Sequence, residues 1–210
     1  MFFISDNGGP TMPTTATNAS NNSPLRGSKR TTLEGGVRVP FIAKWPGRIP
    51  AGVLYEHPVI QLDILPTALA AAEIETPVDV KLEGVDLLPY LNGDSNSPPH
   101  DALYWRFGQQ MAIRQGDWKL VRYDPVVDGA NGRATEAKLY NLAADIGEIK
   151  NLIDEQPEQA KSLQAAWNKW NDSNVSPLWG DGRGGRKKDK SKQARSDRAR
   201  RSASRISTGE

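Results

Sequence analysis

Cysteine is absent from all 210 residues, which removes disulfides, thiolate metal sites and a cysteine nucleophile together. Histidine is almost absent: His57 and His100 are the only two, each beside a proline. No metal-ligand spacing arises from them, so both are expected on the surface or in loops. No apolar run approaches the roughly 20 residues a membrane helix needs. Met1-Phe2-Phe3-Ile4 is too short and too poorly flanked for a signal-peptide core, so the chain is expected to carry neither a transmembrane segment nor an export signal.

Aromatics make up 7% of the chain and none follows Trp179. From Gly180 onward there are 11 Lys or Arg against 4 acids, net +7, whereas residues 1 to 179 carry 16 against 21, net −5. The overall +2 therefore combines an acidic body with a basic tail. Arg183 to Arg205 lack aromatic and aliphatic anchors, and residues 176–210 are expected to be a disordered basic tail. Without interleaved aromatics, that tail gives no reason to expect specific nucleic-acid binding, although it could hold a polyanion such as a sulfated polysaccharide.

The body reads as α/β, with two parts. Phe2-Phe3-Ile4 predicts a strand ending in the Asp6-Asn7-Gly8-Gly9 turn, and Val39 to Lys44 predicts another strand. Residues 10 to 24 have no period and predict an exposed, mobile loop. Asp63 is placed to cap a helix over Ile64 to Glu73, with Leu65, Leu69 and Ala72 on one face. After a linker at Ser95 to Pro99 the pattern changes. Leu103-Tyr104-Trp105, Met111-Ala112-Ile113, Trp118 to Val121 and Leu139 to Leu142 predict a small antiparallel sheet. Pro157 opens a helix with Ala160, Leu163, Trp167 and Trp170 in one apolar stripe, a spacing that favours core packing over a sugar platform. The expected division is 1–98, 99–175 and the tail 176–210.

Chemistry concentrates near the start. Asp6 and Asn7 offer a carboxylate and an amide oxygen, hard donors suited to calcium, although Asp-Asn-Gly-Gly alone is an ordinary turn sequence. Lys29 sits between Gly27 and Gly35-Gly36, with Arg26 and Arg30 nearby. A cluster of positive charge is therefore expected to face any bound oxyanion. An isolated lysine of this kind would be a solvated loop residue.

Taken together, Ser5-Asp6-Asn7-Gly8-Gly9, a polar loop, Pro24-Leu25-Arg26-Gly27-Ser28-Lys29 and Glu34-Gly35-Gly36-Val37-Arg38-Val39-Pro40-Phe41-Ile42 resemble the metal and lysine segments of the sulfatase family of the alkaline-phosphatase superfamily. The resemblance continues through Trp45-Pro46-Gly47, Asp63 to Thr67, Gly84 to Pro89, Gly116 to Leu120 and Leu139 to Leu142, covering about residues 1 to 175. It implies the C-terminal part of a sulfatase-like α/β sheet followed by a small antiparallel sheet with a packed C-terminal helix. It implies arylsulfatase-like sulfuric ester hydrolysis, with Asp6 and Asn7 as calcium ligands and Lys29 as the catalytic, sulfate-contacting lysine. It also implies a sulfate-ester substrate, sulfated carbohydrate among the candidates, and a periplasmic or extracellular full-length member. Glu34 and Arg38 are read as structural. Ser28 and Arg30 stand where the family often has glycine.

The family's nucleophile, a formylglycine made from Cys or Ser in Cys/Ser-x-Pro-x-Arg, has no counterpart here. The Ser97-Pro98-Pro99 triplet is followed by His100-Asp101 and lacks the arginine. Formylglycine and the remaining calcium ligands are expected upstream, and the chain alone is expected to be inactive. The alternative reading is a non-catalytic remnant, or a polyanion-binding module acting through its basic tail. A phosphoester or phosphonate hydrolase of the same superfamily fits the Lys29 segment less well.

Overall fold

The computed structural model describes residues 1–11 and 19–176. The expected basic tail beyond 176, and residues 12–18 of the loop expected at 10–24, lie outside the described residues. Met1–Asn171 form one compact unit.

Two strands open the fold. β1 (Phe2–Ile4) pairs antiparallel with β2 (Phe41–Ala43), Phe3 opposite Ile42. The Phe2 and Phe41 rings meet edge-on at 5.9 Å, and the Met1 ammonium extends the ladder by donating to the Lys44 carbonyl. Between these strands lies the short helix α1 (Glu34–Val37). β2 is shorter than the expected strand because Pro40 lacks an N–H to donate.

α2 (Ile64–Ala71) follows a single 3₁₀ turn at Gln61–Asp63 and packs on the short α3 (Leu88–Leu91). Here two expectations are corrected. Leu65 is 55% exposed, whereas Thr67 is buried. Thr67 anchors the helix: its hydroxyl donates to the Asp63 carbonyl at 2.6 Å and accepts the Leu87 N–H at 2.9 Å. Asp63 precedes the helix, but its carboxylate caps no helical N–H. Being fully buried, it instead accepts from Ile60 N–H and Val85 N–H and bonds His100 Nε2 at 2.9 Å. His100 is therefore an interior partner, its side chain only 10% exposed. Of the surface or loop position expected for it, the loop holds and the surface does not. His57 is exposed as expected.

The predicted meander is present. β3 (Leu103–Phe107), β4 (Gln110–Gln115), β5 (Trp118–Arg122) and β6 (Lys138–Asn141) form an antiparallel sheet in sequence order. Gly116, with φ 56°, makes the β4–β5 turn, a backbone region glycine enters at little cost. β4 is buried at four consecutive positions from Gln110 to Ile113, so both faces of the sheet are covered. On one face Met111, Ile113, Leu120 and Leu139 meet Ala160 and Leu163 of α4 (Pro157–Asp172), with Trp167 against them. Tyr104 stacks on Trp170 at 5.1 Å, and Trp167 Nε1 donates to the Trp105 carbonyl. The expected helical stripe thus packs as core.

The other face carries Ala112, Val121, Tyr123, Tyr140 and Leu142, and what covers it is Leu33, fully buried. Burying one such leucine contributes about 1.5–3 kcal/mol. The antiparallel sheet therefore supports the segment that carries Lys29.

Candidate functional site

Three stretches of backbone converge where the sequence places its polar motifs. Gly8 N–H donates to the Gly36 carbonyl at 3.0 Å, Lys29 N–H to the Gly9 carbonyl at 3.2 Å, and Gly35 N–H to the Arg26 carbonyl at 2.7 Å. Glycine is required for this approach. A Cβ on Gly8 would stand 1.7 Å from the Gly35 oxygen, and one on Gly36 would stand 2.2 Å from the Thr31 oxygen. Asn22 bridges the halves, accepting from Gly9 N–H and donating to the Gly9 and Gly27 carbonyls. Nothing in the sequence marked Asn22 beyond its place in a polar loop.

Ser28 to Thr31 form a tight turn. Thr31 N–H donates to the Ser28 carbonyl at 3.0 Å, and Arg30 at the third position has φ 75°, the mark of a type II turn. That position favours glycine, so an arginine there is strained. Ser28 is buried and linked to the Asp6 segment, its hydroxyl donating to the Gly9 carbonyl and accepting Thr11 N–H. Lys29, at the second position of the turn, is exposed.

Asp6 is exposed and Asn7 half-buried, both just past β1. Ser5 donates its hydroxyl to the Asn7 carbonyl at 2.8 Å, which shapes the turn. Among the described residues no three or more Asp, Glu, His or Cys side chains gather as a metal site. Asp6 and Asn7 are hard oxygen donors of the kind calcium takes. Two such donors are fewer than the roughly six to eight oxygens that calcium takes. A cavity of about 770 Å³ opens beside α1, lined by Glu34, Arg38, Tyr55, Trp105 and Arg114 among others. Asp6, Asn7 and Lys29 do not line it.

The cation cluster expected around Lys29 is corrected in one member, since Arg30 is exposed beside Lys29 but Arg26 is not. Arg26 turns away from the rim and toward the antiparallel sheet. It donates to the Glu148 carbonyl at 2.9 Å and the Tyr123 hydroxyl at 3.0 Å, ion-pairs with Asp128, and stacks over the Tyr123 ring. Its charge is neutralised locally. Burial works against the Arg26 charge, but Tyr123 and Asp128 raise its pKa above the usual arginine range. Burial also pushes the neighbouring Tyr140 phenol up to about 12.

Below the rim lies a buried ion group. Lys119 Nζ is 2.7 Å from Glu34 Oε1 and 3.0 Å from Glu148 Oε1, with the lysine fully buried. Glu148 Oε2 accepts the Glu34 N–H at 2.6 Å, and Arg38 and Arg114 approach Glu34 at 3.6 and 3.9 Å. Burial opposes the charge of all three groups. Lys119, Arg114 and Arg38 more than offset that for Glu34, whose pKa is lowered. For Glu148 burial wins and its pKa is raised. Lys119 between the two carboxylates is held above its usual value. Glu34 is therefore structural, as read, but its partners are Lys119 and Glu148, 85 and 114 residues further on.

Comparison with known proteins agrees with this architecture. Residues 27–173 match the family described as N-sulphoglucosamine sulphohydrolase, C-terminal. Arylsulfatase A of Bos taurus is 36% identical over 184 residues, covering 79% of this chain and 36% of that protein. The crystal structure of Ps i-CgsB in complex with k-i-k-neocarrahexaose aligns with a TM-score of 0.71 at 28% identity, over 87% of this chain and 38% of that one. A further solved chain, in complex with its substrate D-glucosamine-2-N,6-O-disulfate, aligns with a TM-score of 0.54 at 25% identity, over 66% and 29%. The chain thus spans between 29% and 38% of these relatives' own length. With the family match running from the Lys29 turn through the meander to α4, the chain belongs to the sulfatase family and carries that family's C-terminal portion.

Proposed function

We propose that this chain supplies the calcium-ligand pair Asp6 and Asn7 and the sulfate-contacting Lys29 to an arylsulfatase-like sulfuric ester hydrolase. The observation that carries this reading is the Lys29 N–H bond to the Gly9 carbonyl, which ties the lysine turn to the Asp6-Asn7 turn within a sulfatase-family chain. Lys29 is exposed and has no ion pair among the described residues, so its ammonium is available to an oxyanion. As an S–O bond breaks, negative charge grows on the sulfuryl oxygens and the leaving alcohol, and a fixed ammonium stabilises it or donates a proton. Calcium, when bound, supplies further positive charge to the same oxygens. Formylglycine and the other calcium ligands come, in this reading, from sulfatase sequence outside these 210 residues.

Residues 1–98 are then part of the catalytic α/β domain and 99–175 its small C-terminal subdomain, whose sheet carries the Lys29 segment. Sulfated carbohydrate is the substrate class favoured by the disulfated glucosamine bound to one structural relative. The test is a sulfate titration of the 210-residue chain followed by NMR at the backbone amides of residues 6–9 and 28–31, and at the Lys29 side chain where it is present. Sulfate-dependent shifts are expected in the unmodified chain, with affinity reduced at least tenfold by Lys29→Ala. Hydrolysis of an aryl sulfate is expected to be absent. Turnover by this chain alone, abolished by Lys29→Ala, would show that the nucleophile lies within it.

A further inference from the structure

The Ser28–Thr31 turn carries an arginine where φ is 75°, and Arg30 is exposed, so no packing of its own side chain holds that conformation. A non-glycine residue in such a region relaxes unless its surroundings fix it. The peptide that follows Arg30 is fixed from the sheet. Gln110, the first residue of β4 and only 5% exposed, donates through Nε2 to the Arg30 carbonyl at 2.9 Å. Its other amide atom, Oε1, accepts the Asp124 N–H at 3.0 Å. One face of the amide therefore holds the turn, and the other is anchored in the segment after β5.

We propose that Gln110 is a positioning residue for Lys29: its amide braces the strained Lys29-Arg30 turn against the antiparallel sheet and so fixes where the ammonium points. The catalytic meaning of that orientation rests on the sulfate reading of Lys29 given above, whereas the brace itself does not. The chemistry is specific to a primary amide, which donates to one carbonyl and accepts from one N–H at the same time. Thr32, two residues further on, adds an independent tie by donating to the Arg122 carbonyl at 2.8 Å. The chain is thus attached to the sheet on both sides of Thr31, with Gln110 on the side nearer Lys29.

The test is amide hydrogen exchange by NMR on the full chain, with Gln110→Leu and Gln110→Glu compared to the unmodified protein at the same pH. Losing one neutral hydrogen bond corresponds to about fivefold to tenfold faster local opening. Gln110→Leu is expected to speed exchange of the Lys29 and Thr31 amides by that factor at every pH, with α4 amides unchanged. Gln110→Glu is expected to do so at pH 7.5, where a carboxylate cannot donate to the Arg30 carbonyl. At pH 4.5 the protonated carboxyl donates again, and its ratio to the unmodified chain should fall toward one. Unchanged Lys29 and Thr31 exchange in both variants overturns the proposal. So does equal acceleration in α4, since that reports global destabilisation. A parallel sulfate titration separates the two readings: no Lys29 response in the unmodified chain defeats the sulfate assignment, whereas the brace stands or falls on exchange alone.

Discussion

Replacing Lys119 by Met removes one charge from the centre of the fold while nearly preserving side-chain volume. Lys119 is fully buried between Glu34 and Glu148, at 2.7 and 3.0 Å, so its removal leaves two carboxylates in the interior. Breaking a buried pair by deleting one partner costs about 3–5 kcal/mol, because the remaining charge is uncompensated. With a urea m-value of about 2 kcal/mol/M for a domain of this size, the midpoint should fall by about 1.5–2.5 M. The pH dependence identifies the cause. Burial already raises Glu148, and without the lysine Glu34 loses the largest of the opposing charges that lower it. Both carboxyls then have folded-state pKa values above their unfolded ones. A group shifted that way contributes stability below its unfolded pKa, near 4.5, and loses it as pH rises through the folded value. The deficit should be largest at pH 7 and shrink as pH approaches 5. The assay is urea unfolding followed by circular dichroism at pH 7, 6 and 5, with Lys119→Met/Glu148→Gln as a partner variant that should regain part of the loss at pH 7. A variant within 1 kcal/mol of the unmodified chain at pH 7, or a deficit that grows on acidification, refutes the reasoning.

Arg30→Gly should stabilise the chain by about 0.5–1 kcal/mol by relieving the left-handed strain at φ 75°. The melting temperature should rise by about 1–4 °C, and a fall would show that the turn is not strained. Gly8→Ala should act the other way, since its Cβ would stand 1.7 Å from the Gly35 carbonyl oxygen and backbone must move to admit it. A loss of about 1–3 kcal/mol is expected, with faster exchange of the Gly36 and Lys29 amides; stability within 0.5 kcal/mol of the unmodified chain would show that the two motif segments are not in contact.

What the sequence made legible was local. The meander was readable because turn residues such as Gly116-Asp117 separate short β-rich runs, and α4 because Pro157 precedes a helical stripe. The α2 face was misread for a related reason. Leu65, Leu69 and Ala72 have helical spacing, but Thr67 takes the buried side through two hydrogen bonds to backbone twenty or fewer residues away. Apolar spacing carries no information about such polar anchoring. Lys119 was unreadable in the same way. In a strand written Trp-Lys-Leu-Val a lysine suggests a solvent-facing position, and only the arrival of Glu34 and Glu148 from distant segments makes it an interior residue.

Arg26 shows why charge near a site does not imply charge in it. Three residues from Lys29 in sequence, it was expected to join a cationic surface toward an oxyanion, yet its guanidinium turns to Tyr123, Asp128 and the Glu148 carbonyl. A charge neutralised at contact distance adds little field at the rim, so the outward charge of this turn is that of Lys29 and Arg30, both exposed and without an ion pair among the described residues. The division of labour follows from geometry. Arg26, Glu34 and the Arg30 carbonyl each reach a different part of the antiparallel sheet or its connecting loops, and Leu33 fills the apolar ground between them. The small C-terminal sheet thereby acts as a template: its buried face selects the shape of the loop, and the loop in turn presents Lys29 outward with Arg30 beside it.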